Sequence, residues 1–506
     1  MYLDLTVGRL TEAETGRTWD ARTVAGEVAA RARRFQRLGL DRGDRVFLHF
    51  GNRPEFFAEL LAIWRLGACA IPLDARLTPF EVETLAATAR PRVAVVDDGT
   101  APAVAERAAA SGATVVATHD TAPGDGAPAA RSRLDDDALI LFTSGSTGDP
   151  KGVLHTHRSL RARWVTLAQA LDLAAFRRTL CVLPTHFGHG LICNCLFPWL
   201  AGRDLWIAPP FKAEMMLRLG SLIDEHEITF LSSVPSIWRM ALKLGRAPQR
   251  GTLARVHCGS APLSADMWRR IQSWSGTAEV ANAYGITETG SWVAGLGRGP
   301  VEPEDGLVGE GWGAVVRVLR SREPEAVLDP DAPCAPGESG FVWLNTPALM
   351  QGYFQRDDLT DQVVSHGWFM TGDIGALDER GWLYLRGRER DEINKGGAKI
   401  YPGDIDGVVE QFPGAADVCA FALDDALYGQ NVGMAVVLSE PGDDTVRALH
   451  AWMKQRLAEP KMPVRWFLLE AIPRTSRGKI NRDQVRGLCE SLAPLDLARI
   501  LRDQRA

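Results

Sequence analysis

Between residues 143 and 152 the chain reads Thr143-Ser144-Gly145-Ser146-Thr147-Gly148-Asp149-Pro150-Lys151-Gly152, four hydroxyl side chains, three glycines and a lysine in one short run. Glycines let backbone amides turn inward and hydroxyls add donors, so such a run can line a concavity for a phosphate chain. It departs from a Walker A loop, because Pro150 stands where a glycine must precede the lysine. A flexible polar turn is the plain alternative, although a plain turn after an apolar strand rarely carries so many donors. A second group, His186, His189, Cys193 and Cys195, has the residue types of a zinc site. Structural zinc sites pair two short ligand motifs across a longer loop. These four share one apolar stretch, which disfavours zinc.

A phosphate loop needs a strand to aim it, and residues 139–142 supply an apolar one. Upstream, two periods alternate. Val24, Val28, Phe35 and Leu38 recur at helical spacing up to Gly39. Residues 46–50 read as a strand; Pro54 opens a helix through Leu66 that Gly67 ends. Residues 68–73 form the next strand, and Thr78, Pro79 and Glu81 match a capping box. Further strands are expected at 93–96 and 114–117. Alternation of this kind predicts an α/β layered domain with a largely parallel sheet. Residues 120–133 read as a surface loop, 387–391 as a charged joint and 482–506 as an amphipathic helix. Arg31, Arg33, Arg34 and Arg37 are read as a solvated helix face. There is no internal repeat at solenoid spacing.

With 506 residues, several structural units are expected. The 46% hydrophobic and 24% charged residues are those of a globular protein and exclude disorder along the whole chain. A net charge of −6 gives no basic field for nucleic acid. Residues 1–10 lack a secretory pattern. No apolar run reaches the roughly 18 residues of a membrane span. Eight scattered cysteines are not a disulfide scaffold, so a cytoplasmic location is expected.

The 143–152 run resembles a motif of the adenylate-forming superfamily, which contains acyl- and aryl-CoA synthetases, adenylation domains of nonribosomal peptide synthetases, and firefly luciferase. Further motifs follow in that superfamily's order. Tyr284-Gly285-Ile286-Thr287-Glu288 resembles its second nucleotide motif and Trp368-Phe369-Met370-Thr371-Gly372-Asp373 its ribose motif. Gly387-Arg388 through Gly396-Gly397 resembles its hinge region, and Pro473-Arg474-Thr475-Ser476-Arg477-Gly478-Lys479-Ile480 its C-terminal lysine motif. The resemblance implies an α/β fold: a large multi-subdomain N-terminal domain, 1–389, with mixed sheets and layered helices. A small mobile α+β C-terminal domain, 390–506, would carry Lys479, with ATP between the two.

The implied activity joins ATP and a carboxylic acid into an acyl- or aryl-adenylate, releasing pyrophosphate. An anion must then approach an anion: two like charges 4 Å apart repel by about 4 kcal/mol at an effective dielectric of 20. Donors, a cation and Mg²⁺ answer that repulsion. By resemblance, Thr143, Ser144, Gly145, Ser146, Thr147, Gly148 and Lys151 hold the β- and γ-phosphates. Thr287 meets the α-phosphate and Glu288 holds the Mg²⁺. Gly259, Ser260 and Ala261 form the adenine-side loop, with Asn282, Ala283, Tyr284 and Gly285 also at the nucleotide. Tyr284 offers a flat face to adenine, or else is a core tyrosine. Asp373 holds the ribose hydroxyls. Arg388 adds a second ribose contact or makes an interdomain salt bridge. Lys479, with Thr287 and Glu288, forms the catalytic set.

The acid pocket is assigned to His186, Phe187, His189, Cys193, Ser233, His257 and Gly290, with His186 and Phe187 in reverse of the commoner aromatic–His order. The set contains no Lys or Arg, which points to an aromatic or medium-sized apolar monocarboxylate. Arg390 marks the hinge, where Asp or Lys is usual, and Asn394 replaces a lysine of some members. Gly396 and Gly397 line a thiol tunnel or form a β-turn. The expected acceptor is coenzyme A; a separate carrier protein's phosphopantetheine is the alternative, then an amine or other nucleophile. No carrier domain is present in this sequence. A homodimer is allowed. A nucleotide-binding pseudoenzyme is the non-enzyme alternative, disfavoured because Glu288, Asp373 and Lys479 are all retained.

Overall fold

The structure, a computed structural model, describes residues 7–144, 150–209, 213–395, 398–425, 428–475 and 479–502. Among the described residues the strands form three sheets, of fourteen, seven and five strands. In the seven-stranded sheet, Arg45–His49, Cys69–Pro72, Val93–Val96 and Thr114–Ala117 pair in parallel, and Cys69–Pro72 also runs parallel to Asp137–Ser144. The centres of four of these strands, residues 46–48, 70–71, 93–95 and 138–141, are apolar and buried, as in strands covered on both faces. Helices Pro54–Arg65 and Pro79–Ala89 both begin on proline, and the Thr78–Glu81 capping box is formed in both directions.

One reading of the early helix is corrected. Arg31 and Arg34 on Ala21–Arg37 are not solvated; they are buried and share the fully buried Glu59, at 3.1 and 2.5 Å. Arg33 and Arg37 donate to the carbonyls of Ala122 and Pro123. Sequence spacing could not show this, because the acid and the acceptor carbonyls lie on other elements.

In the fourteen-stranded sheet, Asp204–Ile207, Arg178–Cys181, Phe230–Ser233, Arg255–Gly259 and Val280–Ile286 run parallel in that spatial order. The chain leaves Arg178–Cys181 toward one neighbour and returns to the other side of it. That reversal is a topological switch point, where the carboxyl ends of strands open a crevice. Past Val280–Ile286 the sheet continues antiparallel through Ser291–Gly295, Leu307–Gly311, Leu383–Arg388, Trp368–Leu377, Gly340–Asn345 and Val315–Leu319.

The five-stranded sheet belongs to the C-terminal part, with helices Pro402–Glu410, Asp443–Lys454 and Arg482–Glu490. It has its own core, including Ile400, Val418, Met434, Leu449 and Trp466. The architecture is thus a large N-terminal α/β part and a small C-terminal α+β part. The tail is not one helix: Arg482–Glu490 and Leu497–Arg502 are separate, with Pro494 between them, and proline removes a helical donor. Among the described residues no helix is long and apolar enough to cross a membrane.

Candidate functional site

Asp137–Ser144 and Pro150–Thr156 form an antiparallel pair with Thr143 opposite Lys151, and the Thr143 hydroxyl donates to the Lys151 carbonyl at 3.4 Å. Gly145, Ser146, Thr147 and Gly148 lie outside the described residues, as does the Ser144 side chain. The Lys151 ammonium stands 5.5 Å from the ring centre of Tyr353, whose hydroxyl donates to Glu288 Oε1 at 2.8 Å. Strand Gly352–Tyr353 is held against residues 153–154, which fixes that ring between the two charges.

Glu288 sits on the short turn Thr287–Thr289, pinned from two sides. Met350 N–H donates to the Glu288 carbonyl at 2.7 Å, and His155 Nε2–H donates to the Thr287 carbonyl at 2.8 Å. Burial lowers the His155 pKa to about 4, so the ring is neutral and its Nε2 proton is committed to that carbonyl. Sequence reasoning named neither Tyr353 nor His155. A tyrosine two residues after Gln351 and a histidine two residues before the helix His157–Ala170 carry no local signal of distant partners.

Asp373 accepts from the Tyr284 hydroxyl at 2.5 Å and pairs with Arg388 at 2.9 Å. Arg388 and Asp373 are register partners on adjacent strands, so the pair is cross-strand rather than interdomain. Tyr284 is buried among Val293, Val308 and Leu344, with its hydroxyl spent on Asp373. Burial and the Asp373 charge together raise its pKa. Asn282 donates its amide to the Leu307 carbonyl at 2.8 Å. Gly259 and Gly285 permit close backbone approach: a Cβ there would meet the Ala283 and Ser291 carbonyl oxygens at 2.3 and 2.1 Å.

On the acid side, His189 opens a fully buried helical segment, His189–Leu196. Its ring bridges Ser260 Oγ at 2.9 Å and Ser232 Oγ at 2.6 Å, and lies edge-on to Trp292. Phe187 contacts the same ring, while His186 lies 3.5 Å from Asp74 instead. Cys193 Sγ is 3.4 Å from the Gly290 carbonyl, and burial pushes its pKa up to about 12. His257 lies beyond Trp292, stacked on Trp312, and accepts from Arg255 Nε at 2.8 Å. Ser233 Oγ is buried with no hydrogen-bond partner among the described residues. Among the described residues no group of three or more His, Cys, Asp or Glu side chains is placed to hold a metal ion. The nearby Arg163 is buried, but it donates to the Thr289 and Trp312 carbonyls and the Thr346 hydroxyl.

Thr475 N–H donates to the Lys479 carbonyl and Lys479 N–H to Thr475 Oγ1. Burial, and after it the Lys479 charge, depresses the His189 pKa to about 3. The C-terminal part is also tied to the N-terminal part by Arg239 and Glu410, 3.0 Å apart. Arg390 is exposed beside Asp391 at 3.6 Å, and Gly396 and Gly397 lie outside the described residues.

Ser260 and Thr287 follow the parallel strands Arg255–Gly259 and Val280–Ile286, at carboxyl ends of the kind where an α/β sheet binds its ligands. Residues 7–354 match the AMP-binding enzyme family and residues 404–479 the AMP-binding enzyme C-terminal domain. The chain belongs to this family, and with it to the AMP-forming acid–thiol ligase class of enzymes. Feruloyl-CoA synthase of an Amycolatopsis species is 31% identical over 466 residues, 92% of each chain. A long-chain-fatty-acid–CoA ligase of Mycobacterium tuberculosis is 28% identical over 509 residues, 97% of each. The crystal structure of ATP-bound MatB from Rhodopseudomonas palustris aligns with a TM-score of 0.83 at 25% identity, covering 96% of this chain and 97% of that one.

Proposed function

We propose that the chain activates a carboxylic acid with ATP, releasing pyrophosphate, and passes the acyl or aryl group to the thiol of coenzyme A. This reading is carried by the two family matches, over residues 7–354 and 404–479, and supported by Lys479 of the C-terminal part, whose charge is felt, after burial, at the His189 ring on the acid side. A cation there can neutralise a carboxylate as it meets the α-phosphate, an interaction strongest where charge develops. In this reading Thr143, Ser144, Gly145, Ser146, Thr147, Gly148 and Lys151 hold the β- and γ-phosphates, and Thr287 the α-phosphate. Asp373 and Arg388 orient the ribose, and Gly259, Ser260, Ala261, Asn282, Ala283, Tyr284 and Gly285 surround the base.

Glu288 fits a Mg²⁺ ion: Tyr353 fixes one carboxylate oxygen, and among the described residues the other makes no hydrogen bond. A lone carboxylate suits a hard ion that takes its remaining ligands from phosphate and water. When bound, that ion would offset negative charge on the departing pyrophosphate. The first step forms a carboxyl O–P bond and breaks the bond to pyrophosphate. In the second, a thiolate attacks the acyl carbon, AMP leaves, and the thioester forms. Residues 1–389 would hold the substrates while 390–506 reorients between steps about Arg390, with Gly396 and Gly397 beside the thiol.

Coenzyme A as acceptor is supported by the names of the relatives. His186, Phe187, His189, Cys193, Ser233, His257 and Gly290 favour an aromatic or medium-sized apolar monocarboxylate. Arg163 does not alter that, since its donors are spent on the protein itself. The test is a pyrophosphate-release screen over a panel of acids with and without coenzyme A. Acid-dependent release that turns over only with coenzyme A supports the ligase; one that needs a carrier protein instead moves the acceptor.

A further inference from the structure

Three consecutive backbone carbonyls of the turn Thr287–Thr289 are each taken by a donor from another segment. His155 Nε2–H donates to Thr287 at 2.8 Å, Met350 N–H to Glu288 at 2.7 Å and Arg163 Nε–H to Thr289 at 3.1 Å. Both side-chain donors come from one continuous unit, the strand Pro150–Thr156 and the helix His157–Ala170 that follows it. This unit begins in the phosphate loop, and Lys151, His155, Ser159 and Arg163 recur along it at every fourth residue. Side chains alternate along a strand and return after about one turn of a helix, so residues four apart share a face in either element. Lys151 stands over the Tyr353 ring whose hydroxyl donates to Glu288, and His155 and Arg163 hold the carbonyls on either side of Glu288.

A neutral imidazole has one N–H, and on His155 it lies on Nε2, because the Thr287 carbonyl can only accept. Nδ1 is then an acceptor, and the Ser159 hydroxyl 3.1 Å away donates to it, although the Thr156 carbonyl lies at the same distance. Ser159 N–H is held in turn by Thr156 Oγ1 at the start of the helix. The first turn of the helix thus fixes the ring that fixes Thr287. Arg163 is fully buried, and among the described residues it makes no ion pair with a carboxylate. A buried charge without a counter-ion is costly, a cost that an apolar side chain would avoid. What the guanidinium adds is a planar fork. Its donors reach the Trp312 carbonyl at 2.7 Å and the Thr346 hydroxyl at 3.2 Å as well as Thr289. One side chain therefore ties the Glu288 turn to residues just past the strands Leu307–Gly311 and Gly340–Asn345.

We propose that His155 and Arg163 are positioning residues that hold the Thr287–Thr289 turn at a fixed separation from the phosphate loop, so that Glu288 and the loop serve one metal–nucleotide complex. This rests on the ligase reading above. The test is ATP binding followed by tryptophan fluorescence, once with Mg²⁺ and once with excess chelator. The factor by which Mg²⁺ tightens ATP binding should shrink about fivefold in His155→Leu, which loses one hydrogen bond, while affinity for metal-free ATP stays within about twofold. His155→Gln, whose amide donates to the same carbonyl, should return the factor to within about twofold of the unaltered protein. Arg163→Lys keeps the charge but not the fork and should shrink the factor as His155→Leu does; where one of these two variants fails to fold, the other decides. In pyrophosphate exchange both should lower kcat and leave the KM for the acid within about twofold. Equal weakening with and without Mg²⁺, or an unchanged factor, overturns the inference while the ligase reading stands. No tightening by Mg²⁺ in the unaltered protein overturns the inference together with the metal role of Glu288, and absence of exchange with every acid overturns the ligase reading.

Discussion

Three buried histidines should make this protein sensitive to mild acid, and the size of the effect can be worked out. Burial depresses His155 and His157 to about 4 and His189 to about 3. In the unfolded chain each would titrate near 6.5. A histidine held neutral in the fold must be paid for when the unfolded state gains a proton, so stability is full above the unfolded value. It falls as pH drops through 6.5, and levels off below the folded value. Between pH 7 and 5.5 each of the three should remove about 1.2 kcal/mol. His49 and His257, also lowered by burial, act in the same direction. Glu59, Asp406 and Glu410, raised by burial, act the opposite way as pH falls through their folded values. Comparison with a variant cancels these other groups. His155→Gln keeps a donor for the Thr287 carbonyl and removes the titration. Urea unfolding followed by tryptophan fluorescence at pH 7 and 5.5 reads the difference. The loss of stability in His155→Gln should be smaller by about 1.2 kcal/mol. An identical loss in the two proteins would refute the reasoning.

Three further outcomes are expected. Lys479→Ala should slow adenylation by about 10²–10³, as loss of a transition-state donor does, yet still convert supplied acyl-adenylate to thioester; equal loss of both steps contradicts the division of labour. Arg239→Ala removes the tie to Glu410, whose side chains are each about a quarter exposed. At about 1 kcal/mol for such a pair, pyrophosphate exchange should fall about fivefold while thioester formation from supplied adenylate is not slowed. Tyr353→Phe removes the donor that fixes Glu288, and the Mg²⁺ concentration for half-maximal exchange should rise about tenfold; an unchanged requirement separates Tyr353 from the metal.

The features legible in the sequence are those written in contiguous residues. The Thr78–Glu81 capping box, the proline that opens Pro54–Arg65 and the apolar strand runs each depend on neighbours within one turn or strand, so local chemistry predicts them. The site motifs were visible for the same reason. What was hidden depends on pairs far apart in the chain. Arg31 looks solvated until Glu59 is brought against it, and nothing near Tyr284 in the sequence shows that its hydroxyl meets Asp373. His189 and Ser260 are joined across two parallel strands, and no spacing rule links them.

The central claim, that a carboxylate oxygen attacks the α-phosphate of ATP, is tested most directly by isotope transfer. The acid is labelled with oxygen-18 in its carboxyl group, and the products formed with ATP and coenzyme A are weighed by mass spectrometry. One labelled oxygen should appear in AMP, with pyrophosphate unlabelled. Label in inorganic phosphate, accompanied by ADP, would contradict the account.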